Sequence, residues 1–498
     1  MSLVKLEIPP GMLRVGTIYQ CQGRWYQGTL IRWRNDGGTY AVEPIGGWTA
    51  RTTAAMTGKA RAALAWIDND NLRWQAYGTN SKLYVLTQTS ETPADITPVG
   101  FIPGDADATS GAGYGIGPYG ESTYGTPRVD NATYQEAGMW LLDTFGEVLV
   151  GIMAEDAHAY SWTPADTGVV AAAISGAPTG SALVVTPERF LMILGAGGDN
   201  RKVQWADQES LTTWTPTATN QAGDLTLQSH GKLMCGKRIR GGTLIFTDAE
   251  VFVATYLGQP FIYSIERAGE NCGIISRGAA IAVDTRCFWM GNGRFYAYDG
   301  ATRELNCDVA EGVFNDLNTT QKSKITSYHD PKFSEVWWFY PSSASTEIDR
   351  AVVFNYEGGF WAIHDDFARL CAIPRGVFNN PIMADADGYV YDHETGSSYG
   401  GDTPYVESGP YELGEGDQIL RARRLIADEA TSGDVSVSFK VRDWPNDTET
   451  TYGPSTIDNP TSIRFAARQA RLVVTGVASA AWRWGIPRVD VVTGGKRL

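Results

Sequence analysis

The chain has 498 residues, with 41 basic and 56 acidic side chains and a net charge of −15. Such a balance excludes a protein whose overall charge draws it to nucleic acid, because phosphates are repelled rather than neutralised. No run of 18 apolar residues occurs, and the opening MSLVKLEIPPGMLRVG lacks the apolar centre of a secretion signal. The expectation is therefore a chain without a membrane anchor, folded in a cytoplasm.

Hydrophobic residues make up 43% of the chain, with 16 Trp, 23 Tyr and 56 Gly. That stock of aromatic surface can fill large cores, and β-branched and aromatic residues with little helical periodicity favour an all-β protein. Acidity is uneven. Residues 404–498 hold 12 basic and 12 acidic side chains, so the preceding 403 residues hold 29 and 44 and carry the whole excess.

In chain order, residues 1–48 read as an extended N-terminal arm with short strands, interrupted at Pro9-Pro10-Gly11. Arg24, Arg32 and Arg34 alternate with Trp25 and Trp33 there. The pattern is expected to be a half-buried strand with a solvated basic face rather than a nucleic-acid stripe. From residue 49 to 403 a plan repeats: a short apolar run, a turn, a second apolar strand, and a strand ending in aromatics. Ser181–Asp308 contains three such units, with the hairpin signals TPERF, TDAEVF and GNGRF. Arg61–Thr92, Trp140–Pro164, Ile325–Asp366 and Leu370–His393 supply four more. Recurrence of three or four strands every 35–45 residues points to a β-propeller of five to seven blades, with N-terminal strands completing one blade.

The stretch 100–138 departs from the plan. It is Gly/Tyr-rich and aperiodic, and includes Tyr114, Tyr119 and Tyr124. It is expected to be either a surface loop or a segment ordered by subunit contacts, since Tyr offers contact area at low entropic cost. Val309–Gln321 is the best helix candidate. The Gly400-Gly401-Asp402-Thr403-Pro404 run marks a boundary, after which strict alternation (VSVSFKVR) predicts a C-terminal β-sandwich-like domain over 404–498.

No catalytic constellation is expected. The five histidines share no motif, and GxSxG, HExxH and phosphate-loop patterns are absent. The carboxylates Glu155 and Asp365 are the residues a hydrolase reading would need. Six Cys without metal-ligand spacing read as free buried thiols. Asp385-Ala386-Asp387-Gly388 begins like a calcium loop, but its twelfth position is Gly396 rather than Glu, so a hairpin turn is expected. No cofactor and no metal are expected. Trp74, Trp205, Trp214, Trp337, Trp338 and Trp361 are either sugar-stacking platforms or, as favoured, core. In the last domain Arg421, Arg423, Arg424, Arg464, Arg468 and Arg471 form a dense set. A solvated face, a contact with an acidic partner and a DNA contact all fit it. Arg421, Arg423, Arg464 and Arg468, with Tyr114, Tyr119 and Tyr124, are candidate subunit-interface residues.

The opening PPGMLRVGTIYQCQGRWYQGTLIRWRNDGG…PIGGW resembles the start of tail nozzle proteins of short-tailed bacteriophages, also called tail tubular protein B or packaged-DNA stabilisation proteins. VQWADQESLTTWTPTATNQAGD, GKRIRGGTLIFTDAEVFVATYLGQPFIYSIERAGENCGIIS and CFWMGNGRFYAYDG are similar to the same group, over roughly Pro9–Asp308. The resemblance implies a structural virion protein in the viral tail, assembled in the host cytoplasm. It implies a homohexamer below the portal and the tail adaptor ring, beside tail fibres or spikes and a needle. Double-stranded DNA would be retained, then conducted through its lumen without specific binding. A receptor- or glycan-binding tail propeller is the alternative.

Overall fold

The computed structural model describes residues 2–36, 39–110, 134–412, 418–476 and 480–493. Seven four-stranded antiparallel sheets follow one another along the chain. Their innermost strands are Ala60–Ile67, Trp140–Phe145, Ala182–Val185, Leu233–Ile239, Ala280–Val283, Thr326–Asp330 and Cys371–Ile373. Each packs beside the next, and Cys371–Ile373 returns to Ala60–Ile67, so the ring closes. The protein is thus an all-β, seven-bladed propeller with an added β-domain, and each repeat read from the sequence is one blade.

Blades form where the sequence places alternation and turns together. In blade 2, Trp140–Phe145 and Val148–Met153 pair across Gly146, whose φ of 68° suits a residue without a side chain. Blades then hold to one another through buried aromatics, two of which also place their indole N–H on a carbonyl of the neighbouring blade. The Nε1 of Trp338, in blade 6, donates to the carbonyl of Ala279 in blade 5 at 2.9 Å. Trp361 likewise reaches the carbonyl of Asn306 at 2.8 Å. Trp74, Trp205, Trp214 and Trp337 are buried as well. All six tryptophans considered as sugar platforms are core. The Cys residues are free thiols, all buried except the half-buried Cys307. The helix expected over 309–321 appears as Ala310–Asp316 followed by a 3-10 turn, Thr319–Lys324.

The N-terminal arm does more than complete a blade. Ser2–Lys5 joins one sheet of the sandwich, beside Arg488–Thr493, Leu420–Ile426 and Thr461–Ala467. Trp25–Thr29 joins the other, beside Tyr405–Ser408 and Gln469–Gly476. The hairpin Ile31–Asp36/Thr39–Pro44 follows, and Trp48–Ala50 becomes the outermost strand of blade 7, paired with Val390–His393. The sandwich is therefore built from both ends of the chain, not from 404–498 alone.

The basic face of the arm is solvated, as expected, at Arg34, whose side chain is 54% exposed, but only partly at Arg24 and not at Arg32. Arg32 is 5% exposed and lies between Glu335 of blade 6 (3.1 Å) and Glu394 after blade 7 (2.8 Å). Its guanidinium sits 3.4 Å above the Phe333 ring. Arg24 pairs with Asp308 at 3.1 Å, and Arg34 with Glu43 at 3.8 Å. The propeller supplies the counter-charges of Arg24 and Arg32, while Arg34 pairs within its own hairpin and stays exposed.

Two buried histidines hold the arm. The backbone N–H of Leu30 donates to Nδ1 of His364 at 3.0 Å, and the His364 ring stacks on Trp337. His393 stacks on Trp48 and accepts from Nε of Arg369 at 2.9 Å. Burial, aided by Arg32, pushes His364 down to about 3, and burial with Arg369 pushes His393 well down. A histidine whose folded pKa is depressed adds stability above its ordinary value near 6.5, and loses it as pH falls through 6.5 toward 3. Burial raises Glu335 to about 7, and this carboxyl acts with the opposite sign between 4.5 and 7. A comparison with His364→Asn, which keeps an acceptor for Leu30, isolates the histidine. The variant should be less stable at pH 7, and its deficit should shrink by about 2 kcal/mol by pH 5. Urea denaturation at both pH values measures this.

Candidate functional site

Because the four strands of a blade alternate in direction, every connection between blades lies on the same face of the ring. The connection from blade 1 to blade 2 is residues 96–139. Its described parts form a stem that crosses the mouth of the propeller axis. Thr109–Ser110 pairs with Tyr134–Gln135, and a side chain on Gly104 would lie 2.6 Å from the Cα of Gly138. Two glycines at this crossing let the backbones meet.

Four cations at the starts of inner strands clamp the stem. Arg61 of blade 1 donates to the carbonyls of Ala106 (2.6 Å) and Gly138 (3.3 Å), and pairs with Glu347 at 2.7 Å. Lys324, ahead of blade 6, reaches Asp107 and the Thr346 carbonyl, each at 2.5 Å. Both side chains are wholly buried. Arg277, ahead of blade 5, and Lys232, ahead of blade 4, both pair with Glu136, at 3.0 and 2.5 Å. Burial alone would raise the Glu136 carboxyl, but these two cations overcome it and hold it below its ordinary value. Gln321 exchanges hydrogen bonds with the N–H (2.9 Å) and carbonyl (2.8 Å) of Ala108. Tyr134 donates its hydroxyl to the Thr320 carbonyl at 2.9 Å. Sequence reasoning missed this clamp. Its signal was present, as a recurring cation just before or at the start of an apolar inner strand: ARAALAW, GKLMCG, SRGAAIAV and KSKITSY.

The remaining candidates are scattered. Glu155 lies in blade 2 beside the stem, its carboxyl raised by burial. Asp365 follows the outermost strand of blade 6, where it binds Arg350 (2.5 Å) and Gln27 (3.1 Å). The fold does not bring these carboxylates together. Among the described residues no cluster of three or more His, Cys, Asp or Glu side chains could hold a metal. Asp385 closes a hairpin turn, its carboxylate accepting from the N–H groups of Asp387 and Tyr389, both at 2.9 Å. No helix among the described residues is long and apolar enough to cross a membrane.

Tyr114, Tyr119 and Tyr124 lie outside the described residues. Arg421, Arg423 and Arg464 share the outer face of the sandwich sheet that includes Ser2–Lys5, and all three are exposed. Arg468 does not join them; it stacks over Trp444, 4.3 Å from the ring centre. Arg471 is buried and bonds Glu407 and Glu449.

No protein-family model and no curated protein matches the chain. Several solved structures resemble it. A streptogramin B lyase structure aligns at 7% identity and TM-score 0.40, covering 68% of this chain and 95% of that one. The Pan2 WD40 domain of Neurospora crassa aligns at 9% identity and TM-score 0.39, covering 69% and 94%. YCF48 bound to D1 peptide aligns at 11% identity and TM-score 0.38, covering 70% and 97%. At this distance none of them bears on what the chain does.

The clamp carries its own test. Arg61→Leu removes a wholly buried donor from the Gly138 and Ala106 carbonyls and the cation beside Glu347, and should cost about 2–4 kcal/mol in urea denaturation. Arg24→Leu, which breaks a half-exposed pair, should cost less than about 1 kcal/mol. Equal costs would mean that the stem does not depend on its buried cation.

Proposed function

We propose that this chain is a structural subunit of a short-tailed phage tail nozzle. It would assemble as a homohexamer beneath the portal and adaptor ring, with fibres, spikes or a needle attached nearby. It acts mechanically, retaining packaged DNA and conducting it at ejection, with no enzymatic step. The observation that carries the reading is the N-terminal arm. The stretch with the nozzle-like sequence supplies Trp25–Thr29 to one sheet of the sandwich and Trp48–Ala50 to blade 7, so it ties the two parts of the subunit together.

Two further features support it. The chain's own stem covers the mouth of the propeller axis on one face, so any conduit for DNA runs between copies rather than through a propeller. A glycan-gripping propeller, the alternative, loses the six tryptophans it would have used, because all are core. A hydrolase would require Glu155 and Asp365 to meet, and they sit on different blades.

Cryo-electron microscopy of particles assembled with and without the chain tests the proposal. The expected result is a six-fold, channelled density beneath the portal, with DNA leaking from particles that lack it. Peripheral density, or DNA retention unchanged by its absence, would overturn the reading.

A further inference from the structure

The outer face of the sandwich sheet formed by Ser2–Lys5, Arg488–Thr493, Leu420–Ile426 and Thr461–Ala467 carries an unusual charge. Lys5, Arg421, Arg423, Arg424, Arg464 and Arg488 are all exposed there. Only two of these cations are paired, Arg424 with Asp490 at 3.0 Å and Lys5 with Glu7 at 2.6 Å. Arg421, Arg423, Arg464 and Arg488 have no ion pair or hydrogen-bond partner among the described residues. A bulge between Ala422 and Arg424 breaks the alternation, so Arg423 and Arg424 both face outward in succession. With Arg464, Ser462, Pro460 and the Asp490 carboxylate that holds Arg424, they line a shallow concavity of about 550 Å³.

Like charges on adjacent strands repel, and in a chain of net charge −15 Arg421, Arg423, Arg464 and Arg488 have not found internal partners. An external anion would relieve the repulsion. The choice of anion follows from what the face lacks. Protein interfaces are centred on apolar and aromatic residues, with charge pushed to the rim. Here the centre is arginine, and among the described residues the large exposed apolar side chain on the face is Leu3, on the edge strand. Such a surface holds its partner by charge alone, as a phosphate backbone is held, and the planar guanidinium fork fits phosphate oxygens two at a time. The acidic propeller does not forbid this, because at physiological salt charges more than about 8 Å away are largely screened.

We propose that this arginine face is a sequence-independent binding surface for the phosphodiester backbone of a nucleic acid, with Arg423, Arg424 and Arg464 at its centre. The inference rests on the nozzle reading only in favouring duplex DNA as the polyanion. Contacts of this kind are weak and exchange readily, so they steady a passing duplex without arresting it.

Fluorescence anisotropy of the full chain with labelled 30-base-pair duplexes of two unrelated sequences tests it. Both duplexes should bind alike. Four neutralised phosphates give a logarithmic salt slope near about −3.6, so affinity should fall about 100-fold between 50 and 200 mM salt. The doubly substituted R423Q/R464Q chain, checked for an unchanged melting temperature, should halve the slope and fall only about 10-fold. No binding at 50 mM salt, or a slope unaltered by the substitutions, overturns the proposal. Binding of a polyglutamate peptide without binding of DNA would also overturn it, assigning the face to an acidic protein. Failure in this assay would leave particle imaging, and with it the nozzle reading, untouched.

Discussion

Arg32 is where the parts of the molecule are joined. Its guanidinium lies out of water between carboxylates from blades 6 and 7, over the ring of Phe333. A buried cation held by two acids is weak evidence of net stability, since desolvating three charges is costly. Its consequence is geometric. With Arg32 in place, the arm has one course along blade 6, between His364 and the Glu335–Glu394 pair. Only on that course can the preceding strand reach the sandwich and the following strand close blade 7. The ring's closure and the sandwich's position therefore share one anchor.

The same device recurs at the axis on a larger scale. A propeller encloses a space along its axis, and this chain fills one mouth of it with its own stem. Arg61, Lys324, Arg277 and Lys232 each meet a carbonyl or carboxylate of the stem, so cations from four blades hold it in place. Internal cations are thus consumed at the anchor and at the axis. Four of the arginines left without an ion pair lie together on the outer face of the sandwich.

Much of the architecture was legible in the sequence. Each of the seven repeat segments is a blade, because the strands are short, apolar and bounded by Gly, Asp and Pro turns that act locally. The alternation in VSVSFKVR marked the sandwich for the same reason. The buried tryptophans followed from the volume that blades must fill. What was not legible depends on partners distant in sequence. Arg32 reads like any surface arginine until Glu335 and Glu394 come beside it. Ser2–Lys5 finds its partner strand nearly five hundred residues away. Arg468 was grouped with its neighbours in sequence, but the turn before Gln469 sends it to Trp444 instead. The clamp cations were visible as a repeated residue type, yet their purpose lay in the aperiodic connection they grip.

Native-state hydrogen exchange on the intact chain and on Arg32→Met tests the central claim most directly. If Arg32 anchors the arm that joins ring and sandwich, the substitution strands Glu335 and Glu394. Protection should then fall by about 3–5 kcal/mol, together, in residues 25–50, in blades 6 and 7, and in the sandwich strands beside Trp25–Thr29. A loss confined to the arm, with the blades and the sandwich as protected as before, would contradict the account.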